Sequence, residues 1–267
     1  MALTEDKIRF YGDALFQALQ TRTTLKPLTS QDNLTVDDAY AISKHMIACR
    51  VEAGERIIGK KIGVTSAPVQ DMLNVRTPDF GFLTDAMHYE QGQEMPISSN
   101  LIQPRAEGEL AFRLAKDLTG PGITAEDVLA ATDSVMPCFE VVDSRIDNWQ
   151  IKYEDTVADN ASSGLYIVGE PVSPRGIDLA TAEMVVEKNG QFLSRGSGVE
   201  ALTGEPKLGT PVNCVAWLAN TLGHYGIELQ AGDVILSGSL VPLEPVVSGD
   251  HMQVTIAGVG TLGVQFV

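Results

Sequence analysis

The sequence predicts an α+β protein, with a small helical N-terminal part over residues 1–55 and a β-rich domain over 56–267. Three observations carry this. Ile8, Leu15, Ala18 and Leu19 recur at helical spacing near the start. From Arg56 onward the apolar pattern breaks into short runs separated by turn residues. No internal repeat and no low-complexity linker interrupts the remainder.

Taken in order, the elements follow from local chemistry. Thr35-Val-Asp-Asp resembles a capping box with Asp in place of Glu. It opens a second helix through Ala39, Ile42, Met46 and Cys49 that stops near Gly54. Thr124-Ala-Glu-Asp starts a further short helix. Asn189-Gly190, between Met-Val-Val-Glu-Lys and Gln-Phe-Leu-Ser, is a hairpin signal, because both residues tolerate the positive φ of a tight turn. A last helix spans Asn213 to Leu222, with Gly223 or Gly226 near its end. The tail alternates from Asp250 and ends in the strand-like Gly263-Val-Gln-Phe-Val.

The composition excludes several classes. The formal net charge of −16 opposes nucleic acid and anionic membrane surfaces as partners. The acidic residues are scattered, so they do not specify a basic partner either. Three cysteines, Cys49, Cys138 and Cys214, stand far apart with no Cys-x-x-Cys pair, which excludes a disulfide framework and a thiolate zinc site on sequence grounds. Cys138 and Cys214 lie in apolar runs and read as packed side chains. The N-terminus lacks a signal peptide's apolar stretch, and no apolar run has membrane-spanning length. The expected location is cytoplasmic, where the glycosylation patterns at Asn33 and Asn160 carry no meaning.

The chemistry concentrates in three glutamates. Glu107 and Glu109 occupy one face of a strand whose other face holds Ala106, Gly108, Leu110, Phe112 and Leu114. Residues two apart on a strand lie about 7 Å from each other. A Glu-x-Glu pair is usually just a solvated face. Glu140 differs, because it interrupts the apolar run Val135-Met-Pro-Cys-Phe-Glu-Val-Val. A carboxylate in a buried strand needs a cation, whether Arg105, Arg145 or a metal ion. Three converging carboxylates suit a hard divalent cation such as Mg2+ or Mn2+.

Other candidates are weaker alone. Lys60 shares its strand face with Ile58, Ile62 and Val64, while Lys61 shares its face with Gly59 and Gly63. Glycines beside a lysine leave room for a ligand or a second backbone. Lys61 is therefore the better acid–base candidate, against the plain alternative of two exposed strand lysines. Asp79 follows Thr77-Pro78, where an aspartate bonded to its own turn is the ordinary explanation. Asp159-Asn-Ala-Ser-Ser-Gly is either a turn or a loop that grips a carboxylate. Gly258-Val-Gly-Thr-Leu-Gly matches a dinucleotide fingerprint, but only four residues follow it, so no helix can receive a pyrophosphate. Four dispersed histidines and no nucleophile elbow give no support to a serine hydrolase.

Together these segments resemble the 2-hydroxypenta-2,4-dienoate (2-oxopent-4-enoate) hydratases of meta-cleavage aromatic degradation. The likeness is carried by Gly59-Lys-Lys-Ile-Gly-Val-Thr-Ser, Pro78-Asp-Phe-Gly, Leu101-Ile-Gln-Pro-Arg-Ala-Glu-Gly-Glu, Cys138-Phe-Glu-Val-Val-Asp-Ser-Arg and Asp155-Thr-Val-Ala-Asp-Asn-Ala-Ser. It continues through Pro211-Val-Asn-Cys-Val-Ala-Trp-Leu-Ala-Asn and Val234-Ile-Leu-Ser-Gly-Ser-Leu. More distant relatives include 4-oxalocrotonate decarboxylases and fumarylacetoacetate hydrolase-like enzymes. The resemblance implies a mixed β-roll for the catalytic domain at 56–267, a Mg2+ or Mn2+ cofactor and a homo-oligomer. It places metal ligands at Glu107, Glu109 and Glu140, catalytic groups at Lys61 and Asp79, and substrate-binding groups at Asn160 and Ser162. Ser163 and the stretch Thr203–Leu208 depart from the family pattern. The stretch is expected to be a surface loop, with an active-site loop or a subunit contact as the alternatives.

The implied reaction is hydration of the dienoate to 4-hydroxy-2-oxopentanoate, with the metal polarising the 2-oxo group and Lys61 and Asp79 moving protons. Decarboxylation of 4-oxalocrotonate uses the same 2-oxo acid and would release CO2. Acylpyruvate hydrolysis wants a base such as a His–Glu pair, and no histidine is placed for it. A non-catalytic partner of the decarboxylase would not need the intact set of Lys61, Asp79 and three glutamates. Association of the hydratase with 4-oxalocrotonate decarboxylase is expected, because that enzyme's product is the unstable dienol.

Overall fold

A computed structural model gives the structure of residues 2–267. Helix α1 (Glu5–Thr21) is capped by Thr4, whose side chain accepts from the Lys7 amide. Helix α2 (Val36–Glu52) opens on a complete capping box. The Thr35 hydroxyl accepts from the Asp38 amide at 3.1 Å, and the Asp38 carboxylate accepts from the Thr35 amide at 3.0 Å. Aspartate thus replaces the usual glutamate without loss of the reciprocal pair. Ala39, Ile42 and Met46 are buried on one side of α2, while Cys49 is only half-buried. The two helices share one core with the sheets that follow.

Thirteen strands, numbered in chain order, form two sheets among the described residues. The larger sheet runs β2 (Asp79–Thr84), β1 (Ile57–Gly63), β10 (Val234–Ser239), β5 (Arg105–Leu114), β6 (Thr132–Val142), β7 (Leu165–Val168) and β3 (His88–Glu90). The short β11 (Glu244–Pro245) lies beside β5. The smaller sheet runs β4 (Glu94–Met95), β13 (Gly260–Phe266), β12 (His251–Ile256), β8 (Met184–Lys188) and β9 (Gln191–Gly196). Pairing is mixed, with β1–β10, β3–β7 and β4–β13 parallel and the other ladders antiparallel. This is the α+β, mixed β-roll architecture that the resemblance implied.

The remaining helices are α3 (Ala67–Leu73), α4 (Ile97–Asn100), α5 (Ala125–Ala131), α6 (Tyr153–Ala158), α7 (Gly198–Ala201) and α8 (Pro211–His224). Thr124 caps α5 as expected. Helix α8 begins two residues before the expected Asn213, because Pro211 fits a first helical position. Asn189 and Gly190 turn the β8–β9 hairpin with φ of 53° and 74°. The false fingerprint at Gly258–Gly263 spans the β12–β13 hairpin, so its glycines serve a turn.

The larger sheet is buried on both faces, which decides the site. Ala106, Leu110, Phe112 and Leu114 of β5 point into the main core, as their alternation requires. The opposite face is not solvated. Ala111 packs there with Met136 and Cys138 of β6 and Leu236 of β10 in a second apolar cluster. Glu107 and Glu109 share the side of Ala111, so their carboxylates enter an interior rather than water.

Candidate active site

Antiparallel register sets Glu107 on β5 directly opposite Glu140 on β6, and Glu109 opposite Cys138. One oxygen from each of Glu107, Glu109 and Glu140 lies within 4.8 Å of the others. Glu109 and Glu140 are fully buried and Glu107 is half-buried. An irregularity in the β10–β5 ladder between Leu236 and Ser239 turns the Gly238 amide toward Glu109, whose Oε2 accepts it at 2.8 Å. Re-aiming a backbone group in this way is what a bulge does. Glu109 Oε1 and both Glu140 oxygens are buried without a hydrogen-bond partner among the described residues. Burial drives all three carboxyls upward; repulsion from Glu140 adds to it at Glu107, which reaches about 8, and at Glu109, and repulsion from Asp79 adds to it at Glu140. Such a cluster needs positive charge to stay ionised.

Lys61 supplies one positive charge. Its Nζ lies 3.3 Å from Glu140 Oε1, an ion pair without hydrogen-bond alignment. Burial opposes its charge, but Glu140, Asp79, Glu107 and Glu109 outweigh burial and hold the ammonium ionised. Asp79, at the start of β2, sits opposite Gly63 of β1. A Cβ on Gly63 would fall 2.5 Å from Asp79 Oδ1 and 3.2 Å from Lys61 Nζ. A Cβ on Gly59 would fall 2.0 Å from the Val234 carbonyl oxygen. The two glycines beside Lys61 thus admit a carboxylate and a neighbouring backbone. Asp79 is not bonded to a turn of its own. Both its carboxylate oxygens are buried without a hydrogen-bond partner among the described residues, and burial pushes its carboxyl upward against the pull of Lys61.

Lys60 is equally buried, contrary to the exposed alternative for the pair. It turns to the other face and meets Asp233 at 2.5 Å. Neither arginine suggested for Glu140 reaches it. Arg145 pairs with Asp159 at 2.6 Å, and Arg105 lies over the Trp149 ring, 4.8 Å from its centroid.

The loop after α6 is held from beneath. The buried Arg145 guanidinium donates to Asp159 Oδ1 and to the carbonyls of Asp143, Ser163 and Asp159. Asn160, Ala161 and Ser162 all adopt positive φ, between 52° and 54°. Three successive non-glycine residues there indicate stored backbone strain. Ser162 faces the cavity and shares a hydrogen bond with Thr156 at 3.0 Å. Asn160 is placed differently from a ligand-binding group. Its Oδ1 accepts from the Phe82 amide and its Nδ2 donates to the Phe82 carbonyl, so the side chain pins the loop to β2. Its side-chain amide is therefore committed to the backbone, which a sequence motif does not reveal. Ser163, a departure from the family pattern, donates to the Asn160 carbonyl at 2.7 Å.

Lys61, Asp79, Glu107 and Ser162 open on one cavity of about 910 Å³. The sequence reading missed several of its walls. Val64 lines it at φ 57°, a strained conformation for a β-branched residue. Arg105 and Trp149 also line it, and Arg105 had a legible signal, two residues before Glu107 on the same strand face. The stretch Thr203–Leu208 is not a free surface loop. Gln70 of α3 donates to the Glu205 carbonyl and accepts from its amide, and the Gly204 amide donates to the Thr65 carbonyl. Thr203 itself lines the cavity, so this stretch braces its mouth.

Comparisons with known proteins show the family. The fumarylacetoacetate (FAA) hydrolase C-terminal family model matches residues 47–267. A 2-hydroxypent-2,4-dienoate hydratase of Pseudomonas putida is 64% identical over 81% of this chain and 96% of its own. A 2-hydroxyhexa-2,4-dienoate hydratase of Comamonas testosteroni is 56% identical over 97% of both chains. Among solved structures, 4-oxalocrotonate decarboxylase from Pseudomonas putida G7, complexed with magnesium and adipate, superposes with a TM-score of 0.92 at 33% identity, over 100% of this chain and 99% of that one. The chain belongs to the fumarylacetoacetate hydrolase family, in the branch of the 2-hydroxydienoate hydratases.

Proposed function

We propose that this chain is a divalent-metal-dependent hydro-lyase that converts 2-hydroxypenta-2,4-dienoate to 4-hydroxy-2-oxopentanoate in meta-cleavage aromatic catabolism. The observation that carries the reading is the converging set of Glu107, Glu109 and Glu140 with Lys61 and Asp79 beside it, of which Glu107, Lys61 and Asp79 open on one cavity. Identity of 56–64% to hydratases over most of the chain selects the reaction within the family.

Glu107, Glu109 and Glu140 would hold the cation. The fit rests on their chemistry, since three converging carboxylates, those of Glu109 and Glu140 with unpartnered buried oxygens, suit a hard ion such as Mg2+ or Mn2+ and do not suit a soft one. When bound, the ion supplies Lewis-acid polarisation of the substrate's 2-oxygen. The chain's residues do the rest. Lys61 keeps a fixed positive charge at the carboxylate cluster and offers ammonium protons toward the substrate's oxygens. Asp79, whose carboxyl burial favours the protonated form, is suited to give its proton to C5 of the dienol, then as a carboxylate to take a proton from the water that adds at C4 and pass it to C3, while the proton lost from the 2-hydroxyl restores the acid. Ser162 and Arg105 offer donors to the substrate carboxylate from the cavity wall. Asn160 keeps the Ser162 loop in place.

The decarboxylase reading stays in view because of the close structural likeness to 4-oxalocrotonate decarboxylase. Ultraviolet loss of the dienol, measured with and without Mg2+ and alongside CO2 release, separates the two. Hydration consumes dienol without CO2. Stoichiometric CO2 from 4-oxalocrotonate with no dienol consumption would overturn the proposal.

Among the described residues no helix is long and apolar enough to cross a membrane, and we place the enzyme in the cytoplasm as a homo-oligomer. Contact with the decarboxylase that forms the dienol has a physical reason, because the dienol tautomerises when released. Light scattering of the two proteins, alone and mixed, tests it; no mass change on mixing would remove this partner.

A further inference from the structure

A second cluster of metal-ligating side chains lies outside the cavity, where α1 crosses α2. His45 and Cys49 are one turn apart on α2, and Asp13 faces them from α1. His45 Nε2 lies 2.8 Å from Asp13 Oδ1. Cys49 Sγ lies 3.6 Å from Asp13 Oδ1 and 3.7 Å from His45 Nε2. Tetrahedral zinc bonds of about 2.3 Å to sulfur and about 2.0 Å to nitrogen or oxygen set the sulfur about 3.5 Å from its fellow ligands. Both sulfur distances are therefore already those of a coordination sphere. Only the imidazole–carboxylate pair must open, by roughly half an ångström. Asp13 can yield, since its side chain is 66% exposed.

The helix crossing is shaped around the imidazole. Gly12 is buried in the middle of α1, where glycine costs up to about 1 kcal/mol against alanine. A Cβ at that position would fall 2.6 Å from His45 Cδ2 and 3.1 Å from His45 Cβ. The missing side chain gives the ring its seat.

We propose that Asp13, His45 and Cys49 form a second metal site, with a water as the fourth ligand, that takes borderline-soft cations such as Zn2+ or Co2+ and clips α1 to α2. The ligand set rejects Mg2+ and Ca2+, which prefer all-oxygen spheres. The two sites of the chain thus have opposite preferences, and this inference does not depend on the reaction assigned above. Binding displaces the thiol proton, leaving a thiolate on the ion. This site runs against the exclusion of a thiolate zinc site that the absence of a Cys-x-x-Cys pair suggests. The pairing of two helices supplies what the spacing of cysteines does not.

The test is a Co2+ titration of chelator-treated, full-length protein with Mg2+ in excess to occupy the glutamate site. A thiolate-to-cobalt charge-transfer band, saturating at one equivalent, is expected. Cys214 is fully buried and Cys138 lies opposite Glu109 beside the glutamate site, so loss of the band in Cys49→Ser is what assigns it to Cys49. Cys49→Ser and His45→Gln should abolish it, Gly12→Ala should weaken it, and Glu140→Gln should leave it intact. Zn2+ should raise the melting temperature of wild type but not of Cys49→Ser, with folding of each variant checked by circular dichroism. Absence of the band in wild type, or its persistence in Cys49→Ser, would overturn the site and leave a plain His45–Asp13 hydrogen bond between helices.

Discussion

At the residue scale, adjacent lysines on β1 face opposite sides of the sheet and meet different carboxylates. Lys61 lies 3.3 Å from Glu140 in the site, whereas Lys60 is buried against Asp233 on the other face. Lys61→Met should leave the fold intact and lower kcat by roughly 10²–10⁴-fold, the range for a removed proton-transfer group. Lys60→Met should retain most of kcat but cost about 3–5 kcal/mol of stability, because Asp233 is left buried and unpaired. Kinetics at saturating Mg2+ and urea melts on both variants check this split. Equal kinetic losses would mean that the division of labour is wrong. The glycine flanks made Lys61 legible in the sequence. The role of Lys60 was not, since its partner is 173 positions away. The same holds for Arg145, whose partner could only be known once α6 had returned to the end of β6. Asn160 was legible as part of a functional loop, but its commitment to Phe82 required the strand to be in place.

At the element scale, the strand pattern was enough to find the carboxylates and not enough to find their surroundings. Alternation put Glu107 and Glu109 on the face away from Leu110 and Phe112, and the structure keeps them there. Whether that face met water depended on β6 and β10, which local periodicity does not specify. The β1–β2 ladder brings Gly63 to Asp79, so Gly63→Ala should displace the Asp79 carboxylate without disturbing distant packing. A loss of at least about 10-fold in kcat, with a melting temperature within a few degrees of wild type, is expected, since a small misplacement at a reacting centre can cost about 100-fold. The Thr203–Leu208 stretch belongs to the same scale. Gln70→Ala removes both of its bonds to Glu205, and we expect a raised KM with little change in kcat. An unchanged KM would return this stretch to the status of an ordinary surface loop.

At the scale of the whole molecule, the two sheets and the N-terminal helices form one core around an electrostatic problem. The interior of the larger sheet carries Glu107, Glu109, Glu140 and Asp79 against a single Lys61. The apolar cluster of Ala111, Met136, Cys138 and Leu236 packs beside this arrangement on one side and the cavity opens on it from another; a divalent ion would balance its charge with Asp79 in the protonated form. The fold class was legible because capping boxes, the Asn189–Gly190 turn and alternation all pointed to the same architecture. The cavity was not, because Val64, Trp149 and Thr203 reach it from three separate segments. The most direct test follows dienol consumption by chelator-treated protein as Mg2+ is added back, for wild type and for Glu107→Gln, Glu109→Gln and Glu140→Gln. The account predicts that wild-type activity vanishes on chelation and returns with Mg2+. Each glutamine variant should fold, bind Mg2+ more weakly and lose more than about 100-fold in rate, beyond the 10–100-fold typical of residues that merely support a metal ligand. Full activity in the chelated enzyme, or wild-type rates in all three variants, would contradict it.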